Sequence, residues 1–168
     1  MLAKEEMEKI NKSWLTINMI WVAMLASLGI YLIVGFYIKD NIQMATGDDF
    51  PIKTVRNALY MVSIITLILT KFIRNSLLKN SGFIKNLQPA NKNNQHPALA
   101  KYTMAVVISF AMSESIGIYG LILLIFGRDL SDLYILIILS AVAMLYYRPK
   151  KEELINMAEE MKEPQAGL

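Results

Sequence analysis

The chain has no cysteine and a single histidine. The first absence excludes disulfides, thiol nucleophiles and iron–sulfur ligation, and it leaves the redox compartment unreadable. The second removes most zinc and haem sites that one chain can build alone, because both rely heavily on His and Cys. His96 stands in the polar stretch Asn91 to Pro97 and reads as a solvated loop residue. There is no Gly-rich phosphate loop, and no nucleophile–base pair can be assembled. The chain is therefore expected to be no enzyme, with no metal, no cofactor and no nucleic-acid partner. Charge is missing too, over long stretches. Trp14 to Ile38 carries none, and Tyr102 to Gly127 carries only Glu114. Acid is missing altogether from Phe72 to Lys101.

What is present is apolar. Of 168 residues, 55% are hydrophobic and 18% charged, and the apolar ones come in blocks rather than at amphipathic spacing. The stretch from Trp14 to Ile38 would reach roughly 37 Å as a helix, enough to span a bilayer with some tilt. No small-residue cleavage site follows a short apolar core, so this block does not read as a signal peptide. Four spans are expected: Trp14–Ile38, about Thr54–Phe72, about Lys101–Gly127 and about Leu130–Tyr147. The second and fourth have short uncharged centres, and Arg56 and Lys71 can snorkel to the interfaces around the second. The fold class expected is all-α and integral to the membrane, with segments 1–13 (a helical extension), 14–74 (a first hairpin), 75–100 (a basic loop), 101–148 (a second hairpin) and 149–168 (an amphipathic tail).

Charge sets the orientation. Of 17 Lys and Arg, 13 lie in the N-terminal segment, the middle loop and the C-terminal tail. Both termini and the middle loop are thus expected on the cytoplasmic side of a bacterial inner membrane. Trp14, Tyr37, Tyr60, Tyr102, Tyr134, Tyr146 and Tyr147 fall at span ends, as an aromatic belt does. The middle loop alternates Leu77, Leu78, Phe83, Ile84 and Leu87 with Lys79 and Lys85. It reads either as a solvated linker or as a segment on anionic inner-leaflet lipid, with Arg74, Lys79 and Lys85 at headgroups. The tail reads as a helix after Pro149, with Leu154, Met157, Ala158 and Met161 as its apolar stripe.

Two halves correspond. Ala23-Met24-Leu25-Ala26-Ser27-Leu28-Gly29-Ile30-Tyr31 aligns with Ala111-Met112-Ser113-Glu114-Ser115-Ile116-Gly117-Ile118-Tyr119, and six of the nine residues are identical. Leu59-Tyr60 likewise matches Leu133-Tyr134, each Tyr followed fourteen residues on by an arginine, Arg74 or Arg148. The expected architecture is therefore two tandem duplicated hairpins running in the same direction. The first half has Ala26 where the second has Glu114.

Glu114 lies about 18 Å along the helix from Tyr102, near the middle of a hydrocarbon core about 30 Å thick. An ionisable group there is costly and marks a packing contact, a relay or an ion path. Ser109, Ser113, Gly117 and Gly120 form a small-residue line beside it that allows another helix to approach closely. Ser27, Ser63 with Thr66, and Ser140 lie at comparable depth and can hydrogen-bond a carboxyl group.

The stretch Phe110-Ala111-Met112-Ser113-Glu114-Ser115-Ile116-Gly117-Ile118-Tyr119-Gly120-Leu121-Ile122 resembles the carboxylate helix of rotary ATPase proteolipids, the c-ring subunits. The resemblance implies that Glu114 is the carboxylate binding a proton or sodium ion, that Tyr119 is the hydroxyl bonding it, and that Ser115 is the hydroxyl of the sodium-binding variants. Taken whole, the chain looks like poorly characterised bacterial four-helix membrane proteins. Two functions follow as expectations. One is a small non-catalytic membrane subunit that packs as a homo-oligomer or with other membrane subunits. The other is proteolipid-like binding or translocation of a proton or cation through Glu114.

Overall fold

The computed structural model describes residues 4–41, 51–79, 97–127 and 129–160. Among them are five helices and no strand: α1 Lys4–Asn41, α2 Ile52–Lys79, α3 Pro97–Gly127, α4 Leu130–Tyr146 and α5 Lys151–Glu160. Their boundaries follow local chemistry. Glu5 and Glu6 in the first turn of α1, and Lys39 in its last, oppose the helix dipole. Pro51 precedes α2, and its carbonyl accepts the orphan N–H groups of Thr54 and Val55. Asp129 caps α4, its side chain accepting from the Ser131 N–H at 2.9 Å. Pro149 cannot continue α4, and α5 sets off at 43° to it.

α3 is the central helix. It packs on α1, α2 and α4, while α1 also meets α4, and α5 folds back against α3 and α1. Three larger core clusters result, besides a small one where Leu77 of α2 meets Ala105 of α3. Ile10, Ile17, Tyr102, Phe110, Tyr147 and Leu154 fill the end of the bundle that carries most of the basic residues. Leu28, Leu124, Leu133 and Met144 join α1, α3 and α4. Ile116, Leu123 and Leu136 meet Val55, Leu59 and Tyr60 of α2.

The outside is as apolar as the inside. Met19, Ile30 and Ile33 on α1, Met61, Ile68 and Phe72 on α2, and Ile138 and Tyr146 on α4 are all exposed. An apolar surface of this extent calls for hydrocarbon around it. Three helices are long and apolar enough to cross a membrane, within Lys4–Lys39, Ile52–Leu78 and Leu99–Gly127. The fourth expected span is α4, only 17 residues long. It reaches a spanning length only together with α5, as one bent pair.

The packing departs from the expected pairing in one respect. α3 and α4 form a close antiparallel hairpin, but α1 and α2 barely touch, because α3 lies between them. α3 packs on both and so separates the two helices of the first half. The helices are also longer than the expected spans. α2 runs on past Arg74 to Lys79 and α3 starts at Pro97, so helix occupies both flanks of the expected loop. Lys85, His96 and Met161 lie outside the described residues. The tail helix turns its stripe inward, with Leu154 and Ala158 buried against the bundle.

Candidate functional site

Glu114 lies where α3 packs along α1. The two run parallel: Ile17 meets the Tyr102 layer, Leu28 lies at Gly117, and Gly35 lies at Leu124. Gly117 sets the spacing. A Cβ there would come within 2.9 Å of the end of the Leu28 side chain and 3.5 Å of Tyr31, so a larger residue would make Leu28 shift. The close approach brings two α1 hydroxyls to one carboxyl oxygen. Ser27 donates to Glu114 Oε1 at 2.6 Å, and Tyr31 donates to the same oxygen at 2.8 Å. They lie four residues apart, one turn of one face.

Ser27 has a second acceptor. Its Oγ is also 2.6 Å from the Met24 carbonyl, yet a hydroxyl has only one hydrogen to give. With Glu114 ionised, Ser27 and Tyr31 both donate to it. With Glu114 protonated, its O–H can donate to Ser27 while Ser27 donates to Met24. The hydrogen bonding of this group can be satisfied in either state.

Ser115 and Tyr119 stand apart from this contact. Ser115 Oγ donates to the Met112 carbonyl at 2.7 Å, and the Tyr119 ring packs with Ile116 and Leu123 on the side of α2 and α4. Tyr119 is five residues from Glu114, about 140° around the helix, so it cannot share that face. The hydroxyls that do reach Glu114, Ser27 and Tyr31, are those that align with Ser115 and Tyr119 in the other half. Sequence reasoning placed Ser27 at the right depth but not Tyr31, which only helix pairing selects.

The small-residue line faces inward. Ser109, Ser113, Gly117 and Gly120 are all buried. Ser140 of α4 donates to the Ser113 carbonyl at 2.6 Å, and a Cβ on Gly120 would meet the Leu133 backbone at 3.3 Å. The line therefore holds α1 and α4 of the same chain.

Two polar networks close the ends of the bundle. At one, Arg56 of α2 contacts Asp129 at 3.2 Å and Asp132 at 2.7 Å, and Tyr60 donates to Asp132 at 3.0 Å. The Arg56–Asp132 contact is a meeting of charges rather than an aligned hydrogen bond. Asp132 is nearly buried, whereas Arg56 keeps 37% of its side chain exposed. The backbone and side chain of Ser131 beside Asp129 hold its carboxyl below the ordinary value of 3.8, with Arg56 adding to the effect. At the other end, Arg74 pairs with Glu153 at 2.7 Å and lies over the Tyr147 ring. Tyr102 donates to the Lys150 carbonyl at 3.0 Å and accepts from the Lys150 N–H at 2.8 Å. Arg74, expected at lipid headgroups, is thus turned inward with 11% of its side chain exposed. Tyr102 and Tyr147, expected in an aromatic belt, are buried, while Tyr37, Tyr134 and Tyr146 do face outward. The Lys79 and Lys85 side chains lie outside the described residues.

Among the described residues no group of three or more His, Cys, Asp or Glu is arranged to hold a metal. No known protein family, curated protein or solved structure matches the chain.

Proposed function

We propose that this chain is a small non-catalytic subunit of a bacterial inner membrane, crossing it four times with both termini inside and assembling into an oligomer or a larger membrane complex. Glu114 serves as the tie between its parallel helices. The observation that carries this reading is the pair of α1 hydroxyls on one Glu114 oxygen, a contact that ties α1 to α3 within the chain. The internal duplication is part of the proposal. Ser27 to Met24 and Ser115 to Met112 make the same three-residue back-bond in the two halves, which supports a common origin even though the first hairpin has opened around α3. Assembly finds support on α1. Its outward face carries Ala23, Ala26 and Gly29, and nothing lies within 4 Å of a Cβ built on Gly29. Small residues on a lipid-facing helix permit close contact with another helix.

The test is a pair of substitutions. Glu114→Gln keeps the shape and the hydrogen bonding and should assemble normally, whereas Glu114→Leu should loosen α1 and reduce the assembled mass on native gels. Equal behaviour of the two variants would remove the packing role.

A second reading is favoured by the two acceptors within reach of the Ser27 hydroxyl, which supports proton or cation exchange at Glu114. It expects the native carboxyl to react with a hydrophobic carbodiimide and to be protected by sodium or by high pH. No reaction in the native protein would end that reading.

A further inference from the structure

Glu114 has two carboxyl oxygens, and the chain uses one. Ser27 and Tyr31 both donate to Oε1. Among the described residues no hydrogen bond or ion pair reaches Oε2. Oε2 is not enclosed either, so it opens on the surface of the bundle. A polar atom that faces hydrocarbon without a partner is costly.

Exposed side chains locate that opening. Ala111 and Ile118 lie one turn to either side of Glu114, and both are exposed. Ile30, one turn beyond Ser27 on α1, is exposed as well. α1 and α2 flank α3 but barely touch each other, so a strip of α3 stays open between them. Ala111 and Ser115 are small and let another helix come close to that strip.

A second copy of the chain cannot supply the missing group. It inserts with the same orientation, so its side chains lie at the same depths. The hydroxyls at this depth are already spent: Ser63 donates to the Leu59 carbonyl, Thr66 to Val62, Ser115 to Met112 and Ser140 to Ser113. No Lys or Arg occurs in Trp14 to Ile38, Asn57 to Thr70, Tyr102 to Gly127 or Leu130 to Tyr147. Asn18 is nine residues from Ser27, about 14 Å along α1. Asn57 adjoins Arg56 at the end of the bundle. The complement must come from a different chain.

One side-chain chemistry fits best. The Ser27 hydroxyl leaves Glu114 satisfied in either protonation state, so Oε2 presents an acceptor in one state and can present an O–H in the other. An amide donates and accepts, and so answers both. It also enters a span without the cost of a buried charge. We infer that the outward strip of α3 beside α1 seats a transmembrane helix of a different protein, which brings an Asn or Gln amide to Glu114 Oε2. This rests on the reading of Glu114 as the tie between α1 and α3, because the tie takes Oε1 and leaves Oε2 free.

The experiment uses the full chain in phosphatidylcholine bilayers. It has no cysteine, so one added after Leu168 carries a dye. The probe is a polyleucine transmembrane peptide with Asn, Lys or Leu at its centre, and energy transfer reports binding. The Asn peptide should bind about fivefold more tightly than the Leu peptide, the effect of one hydrogen bond between helices in a bilayer. Glu114→Leu should abolish the difference. Ala111→Leu should abolish it too, by filling the strip, while thermal stability stays native. Ser27→Ala combined with Tyr31→Phe tests the tie alone: unchanged thermal stability there ends the tie reading, whereas the peptide data judge the docking. The docking proposal is overturned if the Asn and Leu peptides bind alike, if the Lys peptide binds more tightly than the Asn peptide, or if Ala111→Leu leaves the preference intact.

Discussion

Two glycines that align between the halves have opposite surroundings, and the difference shows what each is for. Gly117 lies against Leu28 and Tyr31, whereas nothing lies within 4 Å of a Cβ at Gly29. Gly117→Val is expected to destabilise the chain by about 1–3 kcal/mol, the usual cost of overpacking. It should also weaken the Ser27 and Tyr31 bonds to Glu114 by pushing α1 away. Unfolding in mixed detergent would measure the loss, and a neutral result would show that α1 is not seated on α3. Glu114 was legible in the sequence because an isolated charge in an apolar run is conspicuous. Tyr31 was not, since a tyrosine inside a span reads as packing until the helix opposite is known. The resemblance pointed to Tyr119 for the same role, on the correct residue type but the wrong face of α3.

Helix existence was the most legible property of the elements, and helix pairing the least. Long uncharged runs announce spans by length alone. Pairing depends on which small faces meet, and α3 offers one to α1 and another to α4. Adjacent position in the chain therefore failed to predict the α1–α2 relation. The two end networks were also hidden. Arg56 reads as a snorkelling residue at the end of the second span, yet with Asp129 and Asp132 it fastens α2 to the start of α4 across a long sequence separation. Arg56→Gln should cost about 1–3 kcal/mol by leaving Asp132 with Tyr60 as its remaining partner, an estimate to be set against Arg56→Gln/Asp132→Asn in a double-mutant cycle. Asp129 gives the network a pH dependence. Its folded carboxyl lies below the ordinary 3.8, so its contribution is fully present above that value. The contribution disappears as the pH falls through the lower folded value. Asp129→Ala should therefore unfold earlier than the native chain at neutral pH, and the gap should close in strong acid. A gap that persists there would assign the effect to something other than the charge.

At the scale of the whole molecule, the protein is a helical bundle turned outward, with apolar side chains on nearly every free face. Its assembly state follows from α1 if the outward Ala23, Ala26 and Gly29 face is a contact. Gly29→Leu should then lower the native mass while leaving the unfolding of the single chain unchanged; an unaltered mass would place the contact elsewhere. Basic residues at one end gave the orientation expected from sequence, but the inward turn of Arg74 and the burial of Lys101 are tertiary facts that composition does not carry. One further consequence concerns α2. Its two arginines, Arg56 and Arg74, are eighteen residues apart, about 27 Å along the helix, and each is fixed to a carboxylate of another element. Cations tethered in this way cannot slide along their stems to suit a thicker or thinner bilayer. α2 is in effect a ruler of fixed length, so any mismatch must be absorbed by deforming the surrounding lipid rather than the protein. Such a chain would partition into bilayers of one thickness, and it would resist transfer to thicker ones for as long as both ion pairs hold.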